Sequence, residues 1–166
     1  MPAKIIYRMT EKAVTRLIGP IKKNGRRIVF TNGVFDILHY GHIDYLAKAE
    51  RLGDILIVGV NSDASVKSFK AANRPIQGER DRAKTLAALE FVDHVIIFNE
   101  STPERLIRMV KPDVLVKGAD YKMNEIVGAK FVKSYGGSVR RIRYLKGYST
   151  TNIIRKIVGR KGPKVP

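Results

Sequence analysis

The chain has 166 residues, no cysteine and no tryptophan, and its 32 Lys and Arg against 15 Asp and Glu give a formal charge of +17. That length fits one domain. The missing thiols exclude disulfides, a cysteine nucleophile and thiolate zinc sites, and no apolar run approaches the roughly 20 residues of a membrane-spanning helix. The charge is uneven, since every acid lies at or before Glu125 and the stretch from Ile126 to Pro166 carries 11 Lys and Arg with no acid. Such an excess points to polyanionic partners: nucleotides, sugar phosphates, nucleic acid or anionic lipid.

The opening MPAKIIYRMTEKAVTRL is amphipathic and charged, without the apolar core and cleavage site of an export signal, so a cytoplasmic protein is expected. RIVFTNG (27–33) predicts a first buried strand. Tyr40 to Leu52 has helical spacing, with Ile43, Leu46, Ala47 and Leu52 on one face and Gly53 as a C-cap. ILIVGV (55–60) predicts a second strand, and Lys67 to Gly78 a mobile loop. ERDRAKTLAALEFV (79–92) predicts a helix, HVIIF (94–98) a third strand that begins with a structural His94, and STPERLIRMV (101–110) a helix with a Ser/Thr cap. VLVKG (114–118) and SVRRIRYL (138–145) predict the fourth and fifth strands, separated by a helix over 125–135. STTNIIRKIV (149–158) predicts a last, hydroxyl-capped helix.

Continuous apolar strands alternating with helices predict an α/β domain: Rossmann-like and doubly wound, with a five-stranded, mostly parallel sheet and helices on both faces. It is expected to form a single domain over 1–160, followed by a basic flexible tail over 161–166. Ligands of such folds bind beyond the carboxyl ends of the strands, where the strand order switches.

TNGVFDILHYGHIDYL (31–46) places Thr31 to His39 at one such strand end. Gly33 allows a tight turn or a close ligand approach, as does Gly41. His39 and His42 are neighbours on a first helical turn, beside the free N–H groups that make a helix N-terminus a phosphate site. As spacing alone, a helix-capping pair remains a rival to a pair that stabilises charge on a phosphate. H-x-x-H without a third ligand is a weak zinc site. Asp36 can hold Mg²⁺, orient a histidine or cap the helix. Lys117 beside Gly118 can reach a phosphate. Arg82 suits a bidentate phosphate clamp, with Arg80 as a competitor. Asp120 and Tyr121 can border base or ribose, and Asn61 and Asp63 suit ribose or acceptor contact. Ser149, Thr150 and Thr151 offer a cradle of hydroxyls for phosphate.

H-x-G-H preceded by N-G-x-F-D-x-L resembles the nucleotidyltransferase (cytidylyltransferase-like) superfamily. VNSDASVK (60–67), RPI (74–76), Arg82 in ERDRAKTLAALEFVD, LVKGADY (115–121) and YSTTNII (148–154) continue the match from about Arg26 to Ile157. Together they look most like the adenylyltransferase domain that makes ADP-heptose from heptose 1-phosphate in lipopolysaccharide precursor synthesis. The resemblance implies ATP and Mg²⁺, the latter bound mainly through nucleotide phosphates. It implies His39, His42 and Lys117 as catalytic residues. Thr31, Asn32, Gly33, Phe35, Asp36, Gly41, Arg82, Gly118, Asp120, Tyr121 and Ser149 to Thr151 are implied at the nucleotide, and Asn61, Asp63 and Arg74 at the acceptor. It further implies a stand-alone form supplied by a separate sugar kinase, and a homodimer or larger assembly, with no membrane or nucleic-acid partner. Two features depart from the pattern. Leu145-Lys146-Gly147-Tyr148 stand where related cytidylyltransferases carry an arginine-threonine pair, and Ala71 replaces a frequent glycine. The residues themselves leave open CTP with glycerol 3-phosphate, adenylyl transfer to a flavin or pantetheine phosphate, and an RNA-binding module.

Overall fold

The computed structural model describes residues 4–70 and 73–159. Ala71 and the tail over 161–166 lie outside the described residues. Six strands, β1 (Lys4–Ile6), β2 (Ile28–Gly33), β3 (Ile55–Asn61), β4 (His94–Phe98), β5 (Val114–Gly118) and β6 (Ser138–Ile142), form one sheet in the order β1-β4-β3-β2-β5-β6. Every pairing is parallel. The expected Rossmann-like architecture is present, with six strands instead of five. The extra one, β1, has three residues and adds to the edge of β4. No periodicity can reveal a strand that short.

The strands alternate their apolar side chains between two cores. Ile28, Phe30, Ile55, Ile57, Ile96 and Phe98 pack under α1 (Glu11–Lys23), α5 (Glu104–Val110) and α6 (Ala129–Ser134). Val29, Leu56, Val58, Val60, Val95 and Ile97 pack under α2 (Tyr40–Glu50) and α4 (Glu79–Ala87). Each such side chain contributes about 1.5–3 kcal/mol on burial. The remaining helices are short: α3 (Asp63–Lys67) and α7 (Thr150–Val158).

Several boundaries differ from expectation. Helix α2 ends at Glu50, and Gly53 is not its cap. A Cβ at Gly53 would lie 2.8 Å from the Arg27 carbonyl oxygen, so glycine lets the α2–β3 connection approach the start of β2. Helix α4 ends at Ala87. The predicted 125–135 helix divides into a 3₁₀ turn, Met123–Glu125, and α6. β6 stops at Ile142.

The chain runs from β2 through β3 to β4 toward one edge, then returns past β2 to β5 and β6. The order therefore switches between β2 and β5, and a cleft opens beyond their carboxyl ends.

Candidate active site

The cleft has a volume of about 560 Å³ and is lined by residues from every strand end around the switch, including Asn32 and Gly33 after β2, Asn61 at the end of β3, and Lys117 on β5. Its wall is the connection from β2 to α2. Phe35 and Ile37 both have φ of 51° in that connection, a left-handed conformation that non-glycine residues adopt only when their surroundings enforce it. The enforcing contacts come from far along the chain. The Asp36 carboxylate accepts hydrogen bonds from the amides of Ile76 (2.9 Å) and Gln77 (3.0 Å) and pairs with Arg74 at 3.2 Å. The Ile37 amide donates to Gln77 Oε1 at 3.0 Å, and Thr150 Oγ1 donates to the Asp36 carbonyl at 2.7 Å. Asp36 is thus consumed in fixing the loop. It does not cap α2, and of the three roles open to it the loop brace is the one these bonds show, at the edge of the cleft that it also lines.

His39 occupies the N-cap position of α2 without a side-chain capping bond. The rings of His39 and His42 stack, with centroids 3.8 Å apart and planes at 19°, and Phe35 meets His42 edge-on at 5.4 Å. The rival reading of a capping pair therefore fails. Burial pushes both imidazoles toward the neutral form. For His42, burial and the neighbouring His39 outweigh the attraction of Asp36 and lower its pKa to about 4. Nδ1 of each ring is buried without a hydrogen-bond partner among the described residues. A buried N–H without a partner is less favourable than a buried nitrogen lone pair without one, which favours the tautomer with the proton on Nε2. His42 thereby becomes a hydrogen-bond donor on the cleft wall. Gly41 makes the pair possible, because a Cβ there would stand 3.1 Å from the His39 ring and 2.8 Å from Tyr148 Cβ.

With His42, and unlike His39, Lys117 lines the cleft. Its Nζ donates to the Asn32 carbonyl at 3.0 Å and lies 5.4 Å from the Tyr121 ring centroid. Burial lowers its pKa to about 8 against the opposing pull of Asp120. Asp120, Tyr121 and Tyr144 continue the lining. Tyr144 stacks on the buried Tyr45 at 5.0 Å, and Tyr45 in turn shares a 2.8 Å hydrogen bond with Thr31. Gly118 is needed here, since a Cβ would overlap Asp120 and the Tyr144 ring.

Other expected residues are placed differently. Thr31 is fully buried, satisfied by Tyr45, and does not line the cleft. Arg82, expected as a phosphate clamp, is 1% exposed and is spent inside the protein. Its guanidinium donates to the carbonyls of Gln77 (2.9 Å), Val34 and Asn61 (2.8 Å) and pairs with Asp63 at 2.8 Å. Arg82 ties the β2–α2 connection, the end of β3 and the 74–78 loop together. Asp63 serves that pair and does not line the cleft. Arg82→Lys keeps one charge but loses the planar fork. Thermal or urea unfolding is expected to show about 2 kcal/mol of destabilisation; an unchanged midpoint would contradict the bracing role. The Ser149–Thr151 cradle also divides. Ser149 caps α7 by accepting from the Asn152 amide at 3.1 Å, while Thr150, which holds the Asp36 carbonyl, and Thr151 both line the cleft. Lys146 is exposed and does not line it. Asn61 and Arg74 do. His94 begins β4, at the opposite end of the parallel sheet.

Residues that sequence reasoning missed include Phe69, Lys70, Ser101, Thr102 and Tyr144. Ser101 and Thr102 read as a cap, yet the N-cap of α5 is Pro103 and no side chain caps it. Among the described residues no group of three His, Asp or Glu could hold a metal. A divalent cation here fits only as one carried on a nucleotide's own phosphates.

The model of the cytidylyltransferase-like family matches residues 30–156. The bifunctional protein HldE of Geotalea uraniireducens is 54% identical over 145 residues, covering 87% of this chain and 30% of that protein. HldE of Campylobacter fetus is 55% identical over 139 residues, with 84% and 30% covered. The chain thus spans about 30% of the length of these curated relatives. Among solved structures, a lipopolysaccharide core biosynthesis protein from Thermoplasma volcanium superposes with a TM-score of 0.61 at 34% identity, covering 75% of this chain and all of the other. Taken with the histidine pair at the switch point, the match over residues 30–156 assigns the chain to the cytidylyltransferase-like family of nucleotidyltransferases.

Proposed function

We propose that the domain transfers the adenylyl group of ATP to a sugar 1-phosphate, D-glycero-D-manno-heptose 1-phosphate, releasing pyrophosphate and forming ADP-heptose for lipopolysaccharide synthesis. The observation that carries the chemistry is His42, its ring stacked on His39 and its burial favouring the neutral form, on the cleft lining together with Lys117. The choice of substrates draws support from the high identity to the HldE proteins and the likeness to a lipopolysaccharide core biosynthesis protein.

An oxygen of the acceptor phosphate attacks the α-phosphorus of ATP in line. The bond from that phosphorus to the α–β bridging oxygen breaks, and the electron pair leaves with pyrophosphate. The attacking phosphate is ionised near pH 7, so no general base is needed and catalysis reduces to positioning and charge stabilisation. His42, with His39 stacked behind its ring, donates to an α-phosphoryl oxygen as charge builds there. Lys117 supplies the positive charge opposite, and Thr151 with the Asn32 amide group orients the substrate. Mg²⁺, when bound, would neutralise the phosphate oxygens of the nucleotide. A cytoplasmic homodimer or larger assembly, supplied by a separate sugar kinase, belongs to the same reading.

A pyrophosphate-release assay that crosses ATP and CTP with heptose 1-phosphate and glycerol 3-phosphate tests it. The expected result is release with ATP and heptose 1-phosphate at least tenfold above the other three combinations. Preference for CTP with glycerol 3-phosphate would overturn it.

A further inference from the structure

The strand order divides the cleft into two sides. From the switch point toward β6 lie Lys117, Tyr121 and Tyr144, a cation and aromatic rings. Toward β1 lie Asn61 at the end of β3 and then Ser101 and Thr102 after β4. The second side adds an amide and two hydroxyls, flanked by Val66, Phe69, Lys70, Arg74 and Pro103.

This side is organised by a chain of hydrogen bonds. Asn61 Nδ2 donates to Ser65 Oγ at 3.0 Å, and Ser65 Oγ donates to the Glu100 carbonyl at 2.8 Å. Asn61 and Ser65 are both buried. The chain fixes the Asn61 amide with its nitrogen turned inward and anchors the residue that precedes Ser101. Ser101 and Thr102 are exposed, and they line the cleft instead of capping α5. Hydroxyls and an amide oxygen exchange hydrogen bonds with other hydroxyls.

The reacting phosphate must sit beside His42 at the switch. An acceptor extending toward β1 would therefore place its distal end at β4. The geometry points to Ser101 and Thr102 as specificity residues that read the distal hydroxyl groups of a polyhydroxyl acceptor phosphate, favouring long sugars over three-carbon acceptors. This rests on the sugar-phosphate reading above and adds to it the residues that measure acceptor length.

The test compares the wild type, the Ser101→Ala/Thr102→Ala double variant and the hydroxyl-preserving Ser101→Thr/Thr102→Ser variant. Each is assayed by pyrophosphate release with ATP, Mg²⁺ and a series of acceptor phosphates of three, five, six and seven carbons. The alanine variant is expected to lose about tenfold in kcat/KM for the seven-carbon acceptor relative to the three-carbon one, through KM and with kcat held, as two lost hydrogen bonds imply. The hydroxyl-preserving variant is expected to retain the wild-type preference. An unchanged preference in the alanine variant, or an equal loss with every acceptor, overturns this inference and leaves the sugar-phosphate reading standing. A wild type that favours the three-carbon acceptor overturns both.

Discussion

Replacing His42 with alanine is expected to lower kcat by about 10²- to 10³-fold, the loss seen when one preorganised donor to a developing charge is removed. The dissociation constant for ATP is expected to stay within a few-fold of the wild-type value. The split follows from the geometry. Burial favours the neutral form of His42, its Nδ1 has no partner among the described residues, and on the proposed mechanism its remaining N–H meets negative charge that grows only during transfer. An interaction made mainly in the transition state appears in kcat, and one made equally in the ground state appears in KM. Steady-state kinetics with equilibrium nucleotide binding separates the two. An unchanged kcat, or a loss confined to binding, would remove His42 from the chemistry. The same depressed pKa has a consequence for stability. In the unfolded chain a histidine titrates near its ordinary value of 6.5, above the folded value of about 4. The unfolded state therefore takes up the proton first as pH falls. The contribution of His42 to stability is complete above about pH 6.5 and disappears as pH falls toward 4.

Lys117→Ala is expected to lower kcat/KM about 10²-fold, because it removes a half-buried cation that lines the cleft at the switch point. Its pH dependence provides a sharper check. Burial lowers the folded pKa to about 8 from 10.5, so kcat/KM, which reports the free enzyme, is expected to fall as pH rises through 8. Lys117→Arg keeps its charge throughout this range. It is expected to be slower than wild type at pH 7 but to show no alkaline limb near pH 8, in a kcat/KM profile over pH 6–10. A limb that persists unchanged in the arginine variant would assign it to another group. Stability moves the other way over the same window. Between about pH 8 and 10.5 the unfolded chain holds a proton that the folded chain has released, so this group's contribution to stability grows with rising pH.

The core was legible because β2 to β5 are buried on both faces and read as unbroken apolar runs. β1 was not, since three residues on an edge carry no pattern of their own and exist through their pairing with β4. Within the site, His42, Lys117 and Asn61 could be read from residue type and from their places near strand ends, and Arg74 from the family resemblance. The direction of a side chain could not. Arg82 has the chemistry of a phosphate clamp, but three backbone carbonyls and Asp63 reach it first. Asp36 has the chemistry of a metal ligand, but the amides that claim it lie 40 and 41 residues away. Ser101 and Thr102 carry the local signature of a helix cap, and only the placement of Pro103 at the cap releases them to the cleft. Local sequence names a group's capacity, while long-range packing decides which partner uses it.

The central claim is that His42, with His39 stacked behind it, works as a neutral donor and not as a general base or cap. Titration of the His42 ring nitrogens by ¹⁵N-detected NMR in the ligand-free protein tests this most directly. A midpoint near pH 4 with the proton on Nε2 at neutral pH is the predicted result; a midpoint at or above 6.5, or a proton on Nδ1, would contradict it.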